Sequence, residues 1–382
     1  MKITPVWLDH PPVQAVIAAL QAAGFESYFV GGCVRNAVLG IPATDIDIAT
    51  NAHPDQTTAA ARAAGLKAVP TGANHGTVTV VADGQGFEVT TYRRDVATDG
   101  RHAVVTFADS IEEDALRRDF TMNALYAGAG GQVLDPAGGL EDLRSRRVRF
   151  IEDPVRRIAE DRLRILRFFR LHAWYGDKSA GPDPEALVAV AAAVDGLPNL
   201  SRERITAELA KLLAAPDPVQ ATAVMEQCGA LGQILPGASA RVLGSVVLLE
   251  ATAGLAPDWL RRLAAIGGSD ADLRLSKSAA RRLQAVQTVT GLPLHEAAYR
   301  HGVESAWDAA IINAVLARQP LHPETTGIIM CGAGARFPVA AGDLPALSGK
   351  ALGKCLRQLE ARWIASEFTA TRAHLLAERF AP

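Results

Sequence analysis

The sequence predicts an α+β fold, with a small mixed sheet at the N-terminus followed by helices alone. Two observations support this. Strand-like runs of alternating apolar and polar residues recur between helical stretches only as far as residue 92. From about residue 236 the chain is rich in Ala, Leu and Arg, with breaks at Pro and Gly. We therefore expect a head at residues 1–145, a helical neck at 146–235, and a helical body and tail at 236–382.

Composition indicates a globular, cytoplasmic protein. The 382 residues are 49% hydrophobic and 21% charged, which is enough to bury a large core. The four cysteines, at 33, 228, 331 and 355, show no C-x-x-C spacing, which argues against a zinc site and against a disulfide framework. The N-terminus MKITPVWLDHPP lacks an apolar signal core, and no run reaches the roughly 18 apolar residues that a membrane span requires. A membrane partner is not expected.

Glycine and proline residues indicate where the first helices begin and end. A helix over 13–23 ends at Gly24, a strand follows at 27–30, and a helix over 34–39 ends at Gly40. The next strand is expected at 46–48, and Pro54, at a first helical position, begins a helix that stops at Gly65. Alternating runs at 67–69, 77–81 and 87–92 complete the sheet.

Capping signals predict the helices that follow. Ser110 and Glu113 form a capping box, so a helix is expected to begin there and run into E-E-D-A-L-R-R-D-F-T-M-N-A. Asp153 and Pro154 mark the start of a helix that should reach about residue 174, with Gly176 ending it. Apolar residues form one stripe of this helix, and Arg157, Asp161 and Arg164 are expected on the opposite, polar side.

The turn Gly31-Gly32 predicts a phosphate site. Glycines let the backbone approach an anion, and the N-terminus of the helix that follows directs unpaired N–H groups and a partial positive charge at it. Arg35 adds a full positive charge.

The next strand predicts a metal site. Asp45 and Asp47 are two residues apart, so their side chains point to the same face. The alternative is a tight turn followed by two solvated aspartates. Ile46, Ile48 and Ala49 favour a core strand instead, in which carboxylates need a partner or a metal. Two hard oxygen donors suit a Mg²⁺ ion that bridges a triphosphate. Glu88, on a neighbouring strand, either brings a third carboxylate to the metal or is a solvated glutamate.

The net charge of −2 hides a local asymmetry. Residues 144–170 contain ten arginines against Glu152, Asp153, Glu160 and Asp161, so 10 − 4 gives a local balance of +6. A basic stripe on a nearly neutral protein is typical of a face that meets phosphates.

The string G-G-x-V-R followed by D-x-D resembles the head of the class II tRNA nucleotidyltransferase and bacterial poly(A) polymerase family, within the DNA polymerase beta-like superfamily. The resemblance implies that the head is a catalytic nucleotidyltransferase domain. The family's usual pattern has Asp where this chain has Asn36. The substitution bears on any charge-dependent role at that position and leaves the metal site untouched.

Two further strings are similar to the family's nucleotide-binding motifs. R-R-D-F-T-x-N-A resembles the motif that holds the ribose of the incoming nucleotide. The resemblance implies ribose contacts from Arg118 and Asp119, supported by Asn123. The alternative is a structural salt bridge at a helix end. E-D-x-x-R, at Glu160, Asp161 and Arg164, resembles the motif that reads the incoming base; the alternative is a set of surface ion pairs. Arg157, one turn earlier, is expected to steady this pair or to contact phosphate.

Other segments resemble parts of the family less specifically. The segment S-x-E-R-I-x-x-E-L, which begins at Ser201, resembles one that supports the family's nucleotide pocket, and this implies such a role for Arg204. His75 lies in a string similar to the family's H-G-T motif. Residues 93–106 are charged and aperiodic, as is typical of a mobile loop or an ordinary surface excursion. They resemble the family's flexible loop, whose charged positions are Arg93, Arg94, Asp95, Asp99 and Arg101. The segment from Gly349 to Phe368 is similar to the family's tail, in which Lys350, Lys354 and Arg357 are either phosphate contacts or a solvated face.

The function implied by the resemblance is template-independent addition of C, C and A to the 3′ end of tRNA, from CTP and ATP with Mg²⁺. The alternatives are a poly(A) polymerase, an enzyme restricted to C or to A addition, and a tRNA-binding protein that has lost catalysis. The end of the sequence at ERFAP, without a long basic extension, favours tRNA as the substrate. Retention of the acids Asp45, Asp47 and Asp119 disfavours a pure binding protein.

Overall fold

The computed structural model describes residues 1–43, 45–72, 76–98 and 103–378; for 95–98, 103–105 and 378 it describes the backbone only. The chain divides into two compact units, Met1–Pro236 and Gly237–Pro382. Both aspartates of the predicted metal site and the predicted base-reading residues lie in the first unit.

The first unit contains a mixed sheet. Its strands are β1 (Ser27–Val30), β2 (Asp47–Thr50), β3 (Lys67–Gly72), β4 (Thr77–Ala82), β5 (Gln85–Thr91), β8 (Tyr126–Ala127) and β9 (Val133–Leu134). Within the described residues the spatial order is β3-β4-β5-β2-β1-β8-β9. The pair β2 and β5 is parallel, whereas β1 pairs with β2 and with β8 in antiparallel fashion. The predicted mixed sheet is confirmed, and β8 and β9 extend it beyond the predicted strands.

A separate hairpin occupies most of the segment predicted to be an irregular loop. Strands β6 (Arg93–Thr98) and β7 (Ala103–Phe107) pair in antiparallel register, with a bulge between Asp95 and Ala97. The described part of 93–106 thus has paired strands despite its aperiodic sequence, and the mobility expected of this loop stays a prediction. Cross-strand hydrogen bonds order the backbone although the charged sequence shows no clean alternation.

The helices of the first unit surround this sheet and continue after it. They are α1 (Pro11–Ala22), α2 (Gly32–Leu39), α3 (Pro54–Ala63), α4 (Ile111–Leu116), α5 (Gly139–Arg144), α6 (Pro154–Glu160), α7 (Leu163–Tyr175), α8 (Pro184–Ala193), α9 (Arg202–Leu213), α10 (Val219–Gln227) and α11 (Ala230–Ile234). Prolines open α1, α3, α6 and α8, where the missing N–H has no intrahelical partner to lose.

Two helix predictions are wrong in extent. The helix begun by Ser110, whose side chain accepts from the Glu113 N–H, ends at Leu116 and does not reach Arg118 or Asp119. The helix predicted from Pro154 to residue 174 is two helices, because Asp161 has an extended backbone (φ −153°, ψ 106°) between α6 and α7. The Asp161 carboxylate accepts from the Leu163 N–H, so it caps the second helix and stabilises the break.

Aromatic packing fixes α7 against the head. Phe120, Phe150 and Phe168 are fully buried, with ring centroids 4.6 Å apart for the first pair and 5.8 Å for the second. Burial of large aromatic rings is among the strongest sources of packing energy in a core. One face of α7 is thereby held beside the chain around residue 119.

The second unit is helical in the residues described. Its helices are α12 (Leu243–Thr252), α13 (Trp259–Ile266), α14 (Lys277–Val289), α15 (Leu294–Ala317), α16 (Thr325–Gly334), α17 (Gly349–Ala365) and α18 (Arg372–Glu378). Helix α15 is kinked at Gly302. Throughout the described ranges no helix is long and apolar enough to cross a membrane. All four cysteines fall in described stretches and are free thiols.

Candidate active site

A cavity of about 440 Å³ in the first unit, here called the pocket, collects most of the predicted nucleotide-binding residues. Its lining consists of Gly31, Gly32, Arg35, Asp47, Arg117, Arg118, Asp119, Asn123, Asp161, Arg164, Arg167 and Arg170. Sequence reasoning did not assign Arg117, Arg167 or Arg170 to the site. The last two follow Arg164 at steps of three on α7, a spacing that places all three on one helix face and was the available signal.

The glycine turn forms one wall of the pocket. Gly31, which precedes α2, has φ +74° and ψ −123°, a conformation that L-residues with a Cβ rarely adopt. A Cβ there would lie 3.5 Å from Arg118 Nη1, an ordinary contact, so the backbone conformation and not a lack of space favours glycine at this position. Arg35, one turn along α2, is buried with only 7% of its surface exposed and faces the same cavity.

The predicted metal ligands lie at the start of β2. Asp45 and Asp47 are exposed, whereas Ile48 and Ala49 are buried. The expectation that both acids sit in a core strand is therefore wrong, because β2 begins only at Asp47, Asp45 precedes it, and both carboxylates are accessible to solvent. Partial desolvation, followed by the charge of Glu88, raises the pKa of Asp47, and the positive charge of Arg118 opposes the shift.

Glu88 is the register neighbour of Asp47 across the parallel pair of β2 and β5, and it is exposed. Among the described residues no group of three His, Cys, Asp or Glu side chains is arranged to hold a metal ion. A third metal ligand from Glu88 stays a prediction.

Arg118 is held by Asp114 and Tyr126. Its Nη2 and Nε donate to Asp114 Oδ2 at 2.9 and 3.2 Å, and Tyr126 Oη donates to the same oxygen at 2.7 Å. Although burial raises the pKa of Asp114, the guanidiniums of Arg118 and Arg117 outweigh it and hold that pKa well below its usual range. Arg118 thus takes part in a structural ion pair and also lines the pocket, so the two readings of this motif are compatible.

Asp119 does not pair with Arg118. Its Oδ2 accepts from Arg167 at 2.5 Å, and its Oδ1 accepts from the Phe120 N–H and from Asn123 Nδ2. Burial raises the pKa of Asp119, but Arg167 and these hydrogen bonds more than offset it and lower the pKa. Asp119 is therefore an ionised acceptor with a fixed orientation at the pocket wall.

Asp161 and Arg164 are brought together at the pocket by the break between α6 and α7. Asp161 Oδ2 accepts from Arg204 Nη2 at 2.6 Å. Arg164 Nη1 donates to Glu160 Oε2 at 2.6 Å, and its Nη2 donates to the Arg117 carbonyl at 3.2 Å. Arg204 does not line the pocket but holds Asp161 in place.

Arg157 is placed differently from the sequence prediction. Only 3% of its surface is exposed, and its guanidinium donates to Glu152, to Glu160 and to the Ile151 carbonyl. The prediction that Arg157 lies on an open polar face is wrong, because these carboxylates neutralise it and allow it to be buried. It is not part of the pocket lining.

The basic stripe is largely neutralised in the folded chain. Eight of its ten arginines lie within ion-pair distance of a carboxylate: Arg144, Arg147, Arg149, Arg156, Arg157, Arg164, Arg167 and Arg170. Partners such as Asp142, Asp183 and Glu208 lie outside the window in which the charge was counted. The local balance of +6 is thus largely offset by acids outside the window, while three of these arginines line the pocket, and contact of this stripe with phosphates stays a prediction.

The remaining predicted residues lie away from the pocket or outside the described part. Arg93 and Arg94 are on β6, and Arg94 lies 3.8 Å from Glu113, an exposed pair. Asp95 is also on β6, whereas Asp99, Arg101 and His75 lie outside the described residues. Lys350, Lys354 and Arg357 are exposed and recur at helical spacing along α17.

Two segments of the chain match known families. Residues 27–149 match the family described as "Poly A polymerase head domain". Residues 182–241 match "Probable RNA and SrmB- binding site of polymerase A".

Curated relatives give the same assignment. The chain is 38% identical over 260 residues to the CCA-adding enzyme of Geobacillus thermodenitrificans, covering 67% of this chain and 59% of the relative. It is 43% identical over 189 residues to the human mitochondrial CCA tRNA nucleotidyltransferase 1, covering 49% of this chain and 44% of the relative. The matched part thus spans about half the length of these relatives.

Solved structures extend the likeness over nearly the whole chain. The Bacillus stearothermophilus CCA-adding enzyme in complex with CTP superposes with a TM-score of 0.74 at 26% identity, covering 99% of this chain and 98% of that one. The Thermotoga maritima CCA-adding enzyme, at 18% identity and a TM-score of 0.70, shares the fold. Together with the motifs at Gly31, Asp45, Arg118 and Asp161, these matches show that the chain belongs to the class II tRNA nucleotidyltransferase and bacterial poly(A) polymerase family.

Proposed function

We propose that the protein adds C, C and A to the 3′ end of tRNA, using CTP and ATP and no nucleic-acid template. The observation that carries this proposal is the joint lining of one cavity by the glycine turn, Asp47, Arg118, Asp119 and the pair Asp161–Arg164. These groups are of the chemical kinds that bind the phosphates, the ribose and the base of a nucleoside triphosphate and the metal ion that accompanies it. CTP in the related Bacillus stearothermophilus structure and the names of the curated relatives support the choice of reaction.

The carboxylates at the start of β2 fit Mg²⁺. This ion usually takes one or two protein carboxylates and completes its coordination with water and substrate phosphates. Asp45 and Asp47 supply such a pair of exposed oxygen donors, which agrees with the lack of a three-residue cluster in the described residues. Bound there, Mg²⁺ would activate the tRNA 3′-hydroxyl and stabilise the pyrophosphate that leaves.

The reaction itself is an in-line displacement. The 3′-hydroxyl of tRNA gives its proton to solvent as its oxygen forms a bond to the α-phosphorus. The bond from that phosphorus to the bridging oxygen breaks, and pyrophosphate leaves with that electron pair. Gly31, Gly32 and Arg35 bind the phosphates, which orients the α-phosphorus. Arg118 and Asp119 bind the ribose hydroxyls and so favour ribonucleotides over deoxyribonucleotides.

Asp161 and Arg164 choose the base by its hydrogen-bonding edge. Cytosine and adenine both present an amine donor beside a ring-nitrogen acceptor, which suits an Asp acceptor next to an Arg donor. Guanine and uracil present a carbonyl beside an N–H, so each would leave a charged group unpaired at a cost of about 1–3 kcal/mol. Arg204 and Glu160 fix the two side chains at 2.6 Å each, so that one rigid edge serves both bases.

We assign catalysis to the head, residues 1–145, base reading to the neck, residues 146–235, and tRNA binding to the body and tail, residues 236–382. Lys350, Lys354 and Arg357 on the exposed face of α17 are the proposed contacts to the tRNA backbone. A contact of this kind adds a salt-dependent, sequence-independent term to tRNA affinity.

Single-nucleotide incubations test the proposal. The protein is incubated with tRNA that lacks one, two or three 3′ nucleotides and with each NTP separately. We expect C to be added to the two shorter substrates and A only to the one that ends in CC. Long A tracts on any RNA would indicate a poly(A) polymerase, addition of C alone or A alone a partial enzyme, and binding without transfer a tRNA-binding protein.

A further inference from the structure

The Arg35 guanidinium reaches across the first unit to Tyr175, at the C-terminal end of α7. Its Nη2 donates to Tyr175 Oη at 2.7 Å, and its Cζ lies 4.0 Å from the centre of the Tyr175 ring. Its Nη1 donates to Asn123 Oδ1 at 2.6 Å, and its Nε and Nη2 donate to Asn36 Oδ1 at 3.2 and 3.0 Å. Three neutral side chains therefore surround this cation.

The other arginines of the pocket are held differently. Each of the other five lies within 2.9 Å of a carboxylate oxygen: Arg117, Arg118, Arg164, Arg167 and Arg170. Arg35 has no such partner among the residues that the structure describes.

The electrostatic surroundings of Arg35 agree with its contacts. Burial lowers the pKa of Arg35 and Arg170 contributes in the same direction, while Tyr175 and Asp119 oppose the shift without reversing it. Asp119 acts on it through space only, because Asp119 Oδ2 accepts from Arg167. A buried cation that lines a cavity and lacks a paired anion is an anion-binding group.

Asn36 uses both ends of its amide. While Oδ1 accepts from Arg35 and from Tyr175 Oη, Nδ2 donates to the Pro42 carbonyl at 3.1 Å. Pro42 belongs to the segment that leads from α2 to Asp45. An Asp at position 36 would pair with Arg35 but would have no hydrogen to donate to Pro42.

We propose that Asn36, Asn123 and Tyr175 form a cage of neutral side chains around Arg35. The cage holds the guanidinium in place and leaves its positive charge available for the triphosphate of the incoming nucleotide. Asn36 and Tyr175 are positioning residues, because they act through Arg35. The inference rests on the proposed nucleotide transfer and adds to it two residues that orient the phosphate-binding cation. Since phosphate is common to CTP and ATP, the cage affects both nucleotides equally and leaves base choice unchanged.

Equilibrium binding of CTP, cytidine and inorganic tripolyphosphate to the full chain with Mg²⁺ tests the cage. Tyr175→Phe retains the ring and removes one hydrogen bond to Arg35, so affinity for CTP and tripolyphosphate should fall about fivefold while cytidine affinity is unchanged. In an Arg35→Gln background the same substitution should have no effect, which a merely structural role would not produce. Unchanged tripolyphosphate affinity in Tyr175→Phe, or equal losses for cytidine and CTP, would overturn the proposal.

Trp174→Phe is the matched control. It removes a hydrogen bond from the same turn of α7, that of Trp174 Nε1 to the Lys211 carbonyl, and should leave tripolyphosphate binding unchanged. A loss equal to that of Tyr175→Phe would overturn the cage.

Asn36→Asp provides a second test that does not depend on Tyr175. It should weaken tripolyphosphate binding about tenfold, because the new carboxylate compensates Arg35. Ala37→Asp, with the same charge on the next residue of α2, should have a smaller effect, and equal effects would contradict the proposal. Tripolyphosphate binding is independent of transfer, so a wild-type protein that adds no nucleotide to tRNA counts against the proposed function alone.

Discussion

The pocket and the interior of the second unit are both rich in arginine, yet they use it differently. In the second unit Arg261, Arg262 and Arg282 pair with Glu250, Asp258 and Asp308 at 2.8–3.1 Å. Asp308 is fully buried and Arg262 is 1% exposed, so the charges at the centre of this network have lost their water and depend on their partners, whereas Arg282 and Asp258 at its edge are partly exposed. Such a network is expected to stabilise one packing of helices α12 to α15.

The arginines of the pocket face an open cavity, whereas those of the second unit are packed among other side chains. Five of the pocket's arginines keep carboxylate partners on one side and face a cavity of about 440 Å³ on the other, whereas the side-chain partners of Arg35 within the described ranges are neutral. The comparison teaches that the number of arginines does not identify a ligand site. What distinguishes the two regions is whether donor groups remain directed at a space that a ligand can fill.

The largest effect is expected from removing one of the two proposed metal ligands, Asp45 and Asp47. Asp45→Asn or Asp47→Asn should reduce nucleotide transfer at least about 10³-fold, because the loss of metal-ion stabilisation is worth several kcal/mol. The free energy of unfolding should stay the same or rise slightly, since repulsion with Glu88 is relieved. Transfer assays with Mg²⁺ and urea denaturation measure both quantities, and full activity in either variant would sink the metal assignment.

The matched substitution in the second unit should lower stability and leave nucleotide transfer unchanged. Asp308→Asn leaves the buried Arg261 and the partly buried Arg282 beside a neutral amide and should lower the free energy of unfolding by about 3–5 kcal/mol. Transfer per folded molecule at 25 °C should be unchanged. Lost transfer with unchanged stability would show that this network also serves function and would break the comparison.

A smaller effect is expected at the base-reading pair. Asp161→Asn gives the side chain an amine that suits the carbonyls of guanine and uracil, so preference for C and A should relax about tenfold to hundredfold. The reversal Asp161→Arg with Arg164→Asp is a harsher test, because it sets like charges beside Arg204 and Glu160. The assay compares all four NTPs, with Arg204→Gln as a control that should relax the preference less. Undiminished discrimination in Asp161→Asn would mean that the base is read elsewhere.

The smallest effect is expected from the hairpin. Replacing residues 93–106 by a Gly/Ser linker of equal length should lower A addition about fivefold more than C addition, roughly 1 kcal/mol, if this segment adjusts the pocket between the two nucleotides. Its exposed contact between Arg94 and Glu113, at 3.8 Å, contributes little by itself. Equal losses in both additions would indicate that the hairpin only closes the site.

The sequence by itself determined the unit from residue 27 to 50 and the order of motifs. The Gly31-Gly32 turn, α2 with its Gly40 cap and the two aspartates depend on backbone preferences and spacing, which act over a few residues. The mixed sheet followed by helices was predictable for the same reason.

Only the tertiary structure decided which arginines are available to a ligand. Arg167 meets Asp119, 48 residues away, and Arg35 meets Tyr175, 140 residues away, because the packing of Phe120, Phe150 and Phe168 holds α7 beside the head. Charge counted along the chain could not reveal that most of the basic stripe is neutralised or that Arg157 is buried. Ion pairs act across space, and their partners are set by the burial of apolar side chains elsewhere in the sequence.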